Sequence, residues 1–196
     1  KGMFGVLVAT TVPYQDKWLK SGHADSSAEA FNHWNEPEEE GGTPVVSASC
    51  AKCHSTPGYM DFIGADGSEA DKVDKDAKIG TTVECQACHN PVTMTLDHVV
   101  FPSGVKVEGL GPEARCMTCH QGRASTDSVD AGIKKAQEAG LKDDDTSSKD
   151  LGFSNIHYYP AGATLNAGKV RGGYQYADKV YDWRFRHVPS HDSCVK

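Results

Sequence analysis

The chain has 196 residues, of which 38% are hydrophobic, with 20 glycines, 9 prolines and a formal net charge of −7. A sequence so rich in loop formers has trouble building a large core from side chains alone, so something else must supply apolar bulk. The acidic balance excludes nucleic acid as a partner, because no basic stripe exists to meet phosphates, and no stretch is long and apolar enough to span a bilayer.

In chain order, the run Met3-Phe4-Gly5-Val6-Leu7-Val8-Ala9 reads as an early strand or buried segment rather than the tail of a signal sequence. The opening residue is Lys1 rather than Met, consistent with upstream sequence having been removed. Gly22 loosens the end of a short helix around Trp18-Leu19-Lys20. Ser26 and Glu29 form a capping-box pattern before a helix carrying His33, and Pro37 limits its far end. Three segments with identical internal spacing follow: Cys50-Ala51-Lys52-Cys53-His54, Cys85-Gln86-Ala87-Cys88-His89 and Cys116-Met117-Thr118-Cys119-His120. Pro57-Gly58 follows the first, Pro91 the second and Gly122 the third, so each helix carrying one should be short.

Short strands are expected at Val92–Leu96 and Val99–Phe101, with His98 at the second. The clearest longer helix runs from Ser128 to Ala139. Thr126 and Asp127 give its start, Val129, Ala131, Ile133 and Ala136 its apolar face, and Gly140 its stop. Asp143-Asp144-Asp145 lacks the full calcium-loop pattern and reads as a solvated loop, as does the charged stretch from Lys72 to Lys78. Gly172-Gly173 lacks the strand and helix that a nucleotide-binding loop requires.

The repeated Cys-x-x-Cys-His unit is the pattern of c-type haem attachment. Two thiols one helical turn apart can each add to a vinyl group on one porphyrin edge, and the adjoining imidazole then ligates iron. His54, His89 and His120 are thus the proximal ligands, and Cys50, Cys53, Cys85, Cys88, Cys116 and Cys119 the attachment points. The rival is zinc, which Cys-x-x-Cys pairs also bind, but a zinc site does not require His directly after each second cysteine. A thioredoxin-like pair would not recur three times. Cys194 closes the sequence in His191-Asp192-Ser193-Cys194-Val195-Lys196. It reads as the first cysteine of a fourth unit completed beyond Lys196, against the plainer reading of a lone or intermolecular thiol. The count is then at least three haems, and four in a complete chain.

Each iron has a second axial position. Of nine histidines, His23, His33, His98, His157, His187 and His191 remain. His23, His33, His157 and His187 are the first choices for the distal face, with His98 in reserve. His191 lies too close to Cys194 to reach across that residue's own haem, though another haem is open to it. Met60 and Met94 are the alternative sixth ligands, but the histidine surplus favours bis-His iron. Arg184 and Arg186, and less strongly Arg115, Arg123 and Arg171, suit haem propionates. Tyr158, Tyr159, Tyr174, Tyr176 and Trp183 suit the porphyrin faces, although aromatic core residues would look the same.

The Ser21-Gly22-His23-Ala24 and Phe31-Asn32-His33-Trp34 segments, the run Arg115 to Arg123 and the segment Asn155-Ile156-His157-Tyr158 resemble those of multihaem c-type cytochromes. The resemblance covers most of the chain. It implies a single domain over residues 1–196 of mainly α class, with few short strands, much irregular structure, and haems as the core. It implies electron transfer between closely packed haems, with other cytochromes or redox proteins as partners. Some extracellular relatives polymerise into filaments in which a neighbouring subunit supplies a distal histidine, so a homopolymer is a further implication. Maturation of covalent haem places the protein in the periplasm or outside the cell. Two rivals stand beside an electron carrier: a nitrogen- or sulfur-oxyanion reductase with one open iron, and a haem module of a larger complex.

Overall fold

The computed structural model describes residues 12–36, 42–143, 145–181, 184, 194 and 195. The expectations for Met3–Ala9, Pro37, Trp183, Arg186, His187 and His191 lie outside the described residues. The chain divides into two compact units, residues 1–90 and 91–196. Within them the fold is mainly helical, with few short strands and much irregular structure.

In the first unit, α1 (Gln15–Leu19) and α2 (Glu29–Asn32) precede a two-stranded antiparallel ladder of β1 (Val45–Val46) and β2 (Ala77–Lys78). Between the strands lie α3 (Ala48–His54) and α4 (Thr56–Phe62), and α5 (Cys85–Cys88) closes the unit. Trp34, Val46, Ala51 and Ala77 form its buried core. A Cβ on Gly58 would stand 2.4 Å from the Ala51 backbone, so only glycine allows α4 to lie this close to α3. Ser55 separates the two helices. Its hydroxyl accepts from the Gly58 N–H at 3.0 Å, capping α4, and donates to the Ala51 carbonyl at 3.0 Å. Buried Asp61 secures the loop after α4, accepting from the Ser68 hydroxyl at 2.9 Å and the Asp74 N–H at 3.0 Å.

The second unit begins with α6 (Pro91–Thr95), followed by the antiparallel pair β3 (Val99–Val100) and β4 (Lys106–Val107). Next come α7 (Glu113–Met117), α8 (Thr126–Glu138) and α9 (Ala161–Val170). Val99, Phe101, Val107, Ala114, Met117, Ala163 and Val170 are its core. The long helix forms close to the expected position. Ser125 caps it in a reciprocal box with Ser128, and Gly140 follows it with φ of 113°.

Two local expectations are corrected. Ser26 does not cap α2, whose N-cap is Ala28 without a side-chain bond. Instead the Asp25 carboxylate accepts from the Ser27 N–H and hydroxyl at 3.0 and 2.6 Å, forming a turn one step earlier. The segment Val92–Leu96 is not a strand. Pro91 starts a helix there, its fixed φ and missing N–H being suited to the first turn, and the Thr95 hydroxyl donates back to the Pro91 carbonyl at 3.2 Å.

Candidate functional site

The first Cys-x-x-Cys-His unit occupies α3, which places Cys50 and Cys53 one turn apart and half-buried. Ala51, fully buried between them, anchors the helix through its contact with Gly58. His54 ends the helix, and its Nδ1 lies 2.8 Å from the Ala30 carbonyl oxygen on α2. A carbonyl can only accept, so this nitrogen carries the hydrogen and Nε2 keeps its lone pair for a metal. Trp34 packs its ring 5.0 Å from that of His54.

The third unit repeats the device in α7. Buried Ala114 and Met117 hold the helix, leaving Cys116 and Cys119 half-buried. His120 Nδ1 lies 2.9 Å from the Tyr159 carbonyl oxygen, while the His120 carbonyl accepts from the Gly162 N–H at 2.8 Å at the start of α9. The acceptor segment is tied in turn to the residues after the motif, the Arg123 N–H donating to the Ile156 carbonyl at 2.9 Å. A Cβ on Gly122, whose φ is 86°, would sit 3.0 Å from Ile156.

The second unit is built more sparely. Helix α5 has four residues; Ala87 is its buried anchor, and Cys85 and His89 are exposed. The Asn90 amide donates to the Gln86 carbonyl at 2.8 Å and to the Met60 sulfur at 3.4 Å. Among the described residues no hydrogen bond fixes the His89 ring.

The distal candidates fall beside these helices. The His23 carbonyl accepts from the Val83 N–H at 3.1 Å and the Trp18 indole donates to the Val83 carbonyl at 2.9 Å, which ties the His23 turn to the approach of the second unit. His33 caps α2; its Nδ1 is 2.9 Å from the Glu29 carboxylate, and its side chain is 60% exposed. The sequence pattern marked Glu29 as a helix cap, yet its spacing from His33, four residues on a helix, is also that of a facing pair. His157 is half-buried with φ of 79°, and its N–H donates to Asn155 Oδ1 at 2.8 Å. Burial and then the Arg123 charge lower its pKa, favouring the neutral, ligating form. His98 lies directly before β3; the adjacent Asp97 carboxylate accepts from the Gly109 and Gly111 N–H groups at 3.2 and 2.6 Å.

The thioethers of methionine are otherwise engaged: Met60 accepts from Asn90, and Met94 lies 3.6 Å from an Arg115 nitrogen. Arg115 also donates to the Pro112 carbonyl, and Arg171 pairs with Asp127 at 3.4 Å, while Arg123 and Arg184 stay exposed. Cys194 lies beside Cys116, with its N–H donating to the Glu113 carboxylate; burial of the thiol and that carboxylate push it up to about 12. The carbonyls of Ala30 and Tyr159 escape sequence reasoning, because any residue type supplies one.

These features fit c-type haem. Thiol pairs not joined in disulfides stand one turn apart, and at two of the three adjoining imidazoles a carbonyl accepts from Nδ1, the tautomer in which Nε2 is the ligating nitrogen. Tyr158 and Tyr159, 78% and 82% exposed, offer apolar faces of the kind a porphyrin would cover. Among the described residues no three His, Cys, Asp or Glu side chains converge. Likewise, no helix is long and apolar enough to cross a membrane. Residues 29–121 match a family model described as cytochrome c7 and related cytochrome c. No curated protein and no solved structure matches the chain.

Proposed function

We propose that the chain is a multihaem c-type cytochrome that serves electron transfer, with one haem in a bis-His site at each of its three complete motifs. Cys50 and Cys53, Cys85 and Cys88, and Cys116 and Cys119 form the thioethers, and His54, His89 and His120 provide the proximal nitrogens. When bound, each haem supplies an iron that changes oxidation state by one electron and exchanges it with its neighbours. The protein orients His54 and His120 and fixes their tautomers through backbone carbonyls, and further histidines would supply each iron's second nitrogen. His23, His33 and His157 are the distal donors, with His98 in reserve; His187 has the same role by sequence. Closed sites favour an electron carrier over a reductase. Cys194 is a further candidate for haem attachment. The acidic surface suits docking to redox proteins through complementary charge, outside the cytoplasm, where covalent haem is matured.

One observation carries this reading: beside two separate thiol pairs, a backbone carbonyl fixes the following histidine in the form that leaves Nε2 for a metal. Spectra of the purified holoprotein test it. All irons should be low-spin and reversibly reducible, unchanged by cyanide or nitrite. A high-spin component that shifts with nitrite would favour the reductase instead.

A further inference from the structure

The carbonyls that hold His54 and His120 also constrain the distal ligands, an inference that rests on the haem reading above. A hydrogen bond at Nδ1 lies behind the imidazole, on the side away from the metal. Ala30, and with it α2, therefore stands behind His54, on the proximal side of that iron. The Trp34 ring, 5.0 Å from that of His54, keeps the residues after α2 close to that imidazole as well. Tyr159 stands likewise behind His120.

A distal histidine must come from the opposite porphyrin face. An imidazole nitrogen sits about 2 Å from its metal, so with both rings and the hydrogen bond included, the holding carbonyl and a distal Cα are separated by about 12 Å. The chain must also pass around the porphyrin edge. His33 follows Ala30 by three residues at the end of a helix, which advances the backbone only about 5 Å. His157 precedes Tyr159 by two residues, whose full extension spans about 7 Å. Neither can reach the far face of the iron behind which its own segment stands.

His33 is nevertheless arranged as a ligand. The Glu29 carboxylate engages its Nδ1, which makes Nε2 the ligating nitrogen, and the side chain is 60% exposed. We propose that ligation is crossed: His33 binds an iron other than the one on His54, and His157 an iron other than the one on His120. Each segment then grips two haems, one through a backbone carbonyl behind its proximal ring and one through an imidazole. The pairs Ala30/His33 and Tyr159/His157 fix neighbouring haems to each other without side-chain contact between them.

The test uses full-length holoprotein with His157→Ala and, separately, His33→Ala. Each change should open one haem equivalent per chain to cyanide. Nuclear Overhauser contacts then locate the cyanide-bound haem relative to labelled cysteine thioether protons. The proposal expects no contact to Cys116 or Cys119 in H157A and none to Cys50 or Cys53 in H33A. Contact to those cysteines, or a variant that binds no cyanide, overturns the crossed arrangement for that residue. If alanine prevents maturation, His157→Met and His33→Met keep a ligand, and the shifted methionine methyl resonance gives the same assignment. Absence of thioether-bound haem from the parent protein would defeat the haem reading itself, a separate result.

Discussion

The first and third motifs are built alike, and the second is not. His54 and His120 each meet a carbonyl from a distant segment, whereas no such partner fixes His89 among the described residues. Helix α3 has seven residues and leans on α4 through Gly58, and α7 is anchored by fully buried Ala114 and Met117. Helix α5 has four residues, with a single buried anchor. Where carbonyl and helix are both in place, the polypeptide itself holds the ring orientation. On the proposed haem reading, ordering at His89 falls more to the thioethers and the metal.

The largest expected effect breaks the comparison at its covalent base. The pair Cys50→Ala with Cys53→Ala should remove one whole haem, read by haem absorbance per chain, and Cys85→Ala with Cys88→Ala should do the same. An unchanged haem count in either case would contradict the assignment. Next comes Trp34→Ala, which empties the space beside His54. It should cost about 3–4 kcal/mol in thermal unfolding, because a large buried ring is lost. Gly58→Ala drives a methyl into the Ala51 backbone and should cost about 3 kcal/mol, against little change for Gly22→Ala, whose Cβ would meet nothing within 4 Å.

The smallest effect sharpens the contrast without mutation. In holoprotein, the Nδ1 protons of His54 and His120 should exchange with deuterated solvent more slowly than that of His89, as followed by nuclear magnetic resonance. Equal exchange at all three would erase the distinction between the motifs.

The short helices that carry the thiol pairs were legible in the sequence, because Pro57-Gly58 and Pro91 follow the first two motifs closely. Helix α8 was legible because periodic apolar residues and Gly140 agreed on its extent. Val92–Leu96 misled because a run with β-branched residues was weighed above Pro91, which is suited to start a helix. Ser26 misled because Asp25, one residue earlier, won the competition for the local N–H groups. The holds on His54 and His120 were beyond sequence reasoning. They depend on backbone oxygens of Ala30 and Tyr159, and on left-handed backbone at His157 and Tyr159 that no glycine announces.

The central claim is that porphyrin is bonded through the three thiol pairs. Mass spectrometry of proteolytic peptides from the mature protein tests it most directly. The account predicts a haem-bearing peptide for each of the segments Cys50–His54, Cys85–His89 and Cys116–His120. Recovery of those peptides at the mass of bare polypeptide would contradict it.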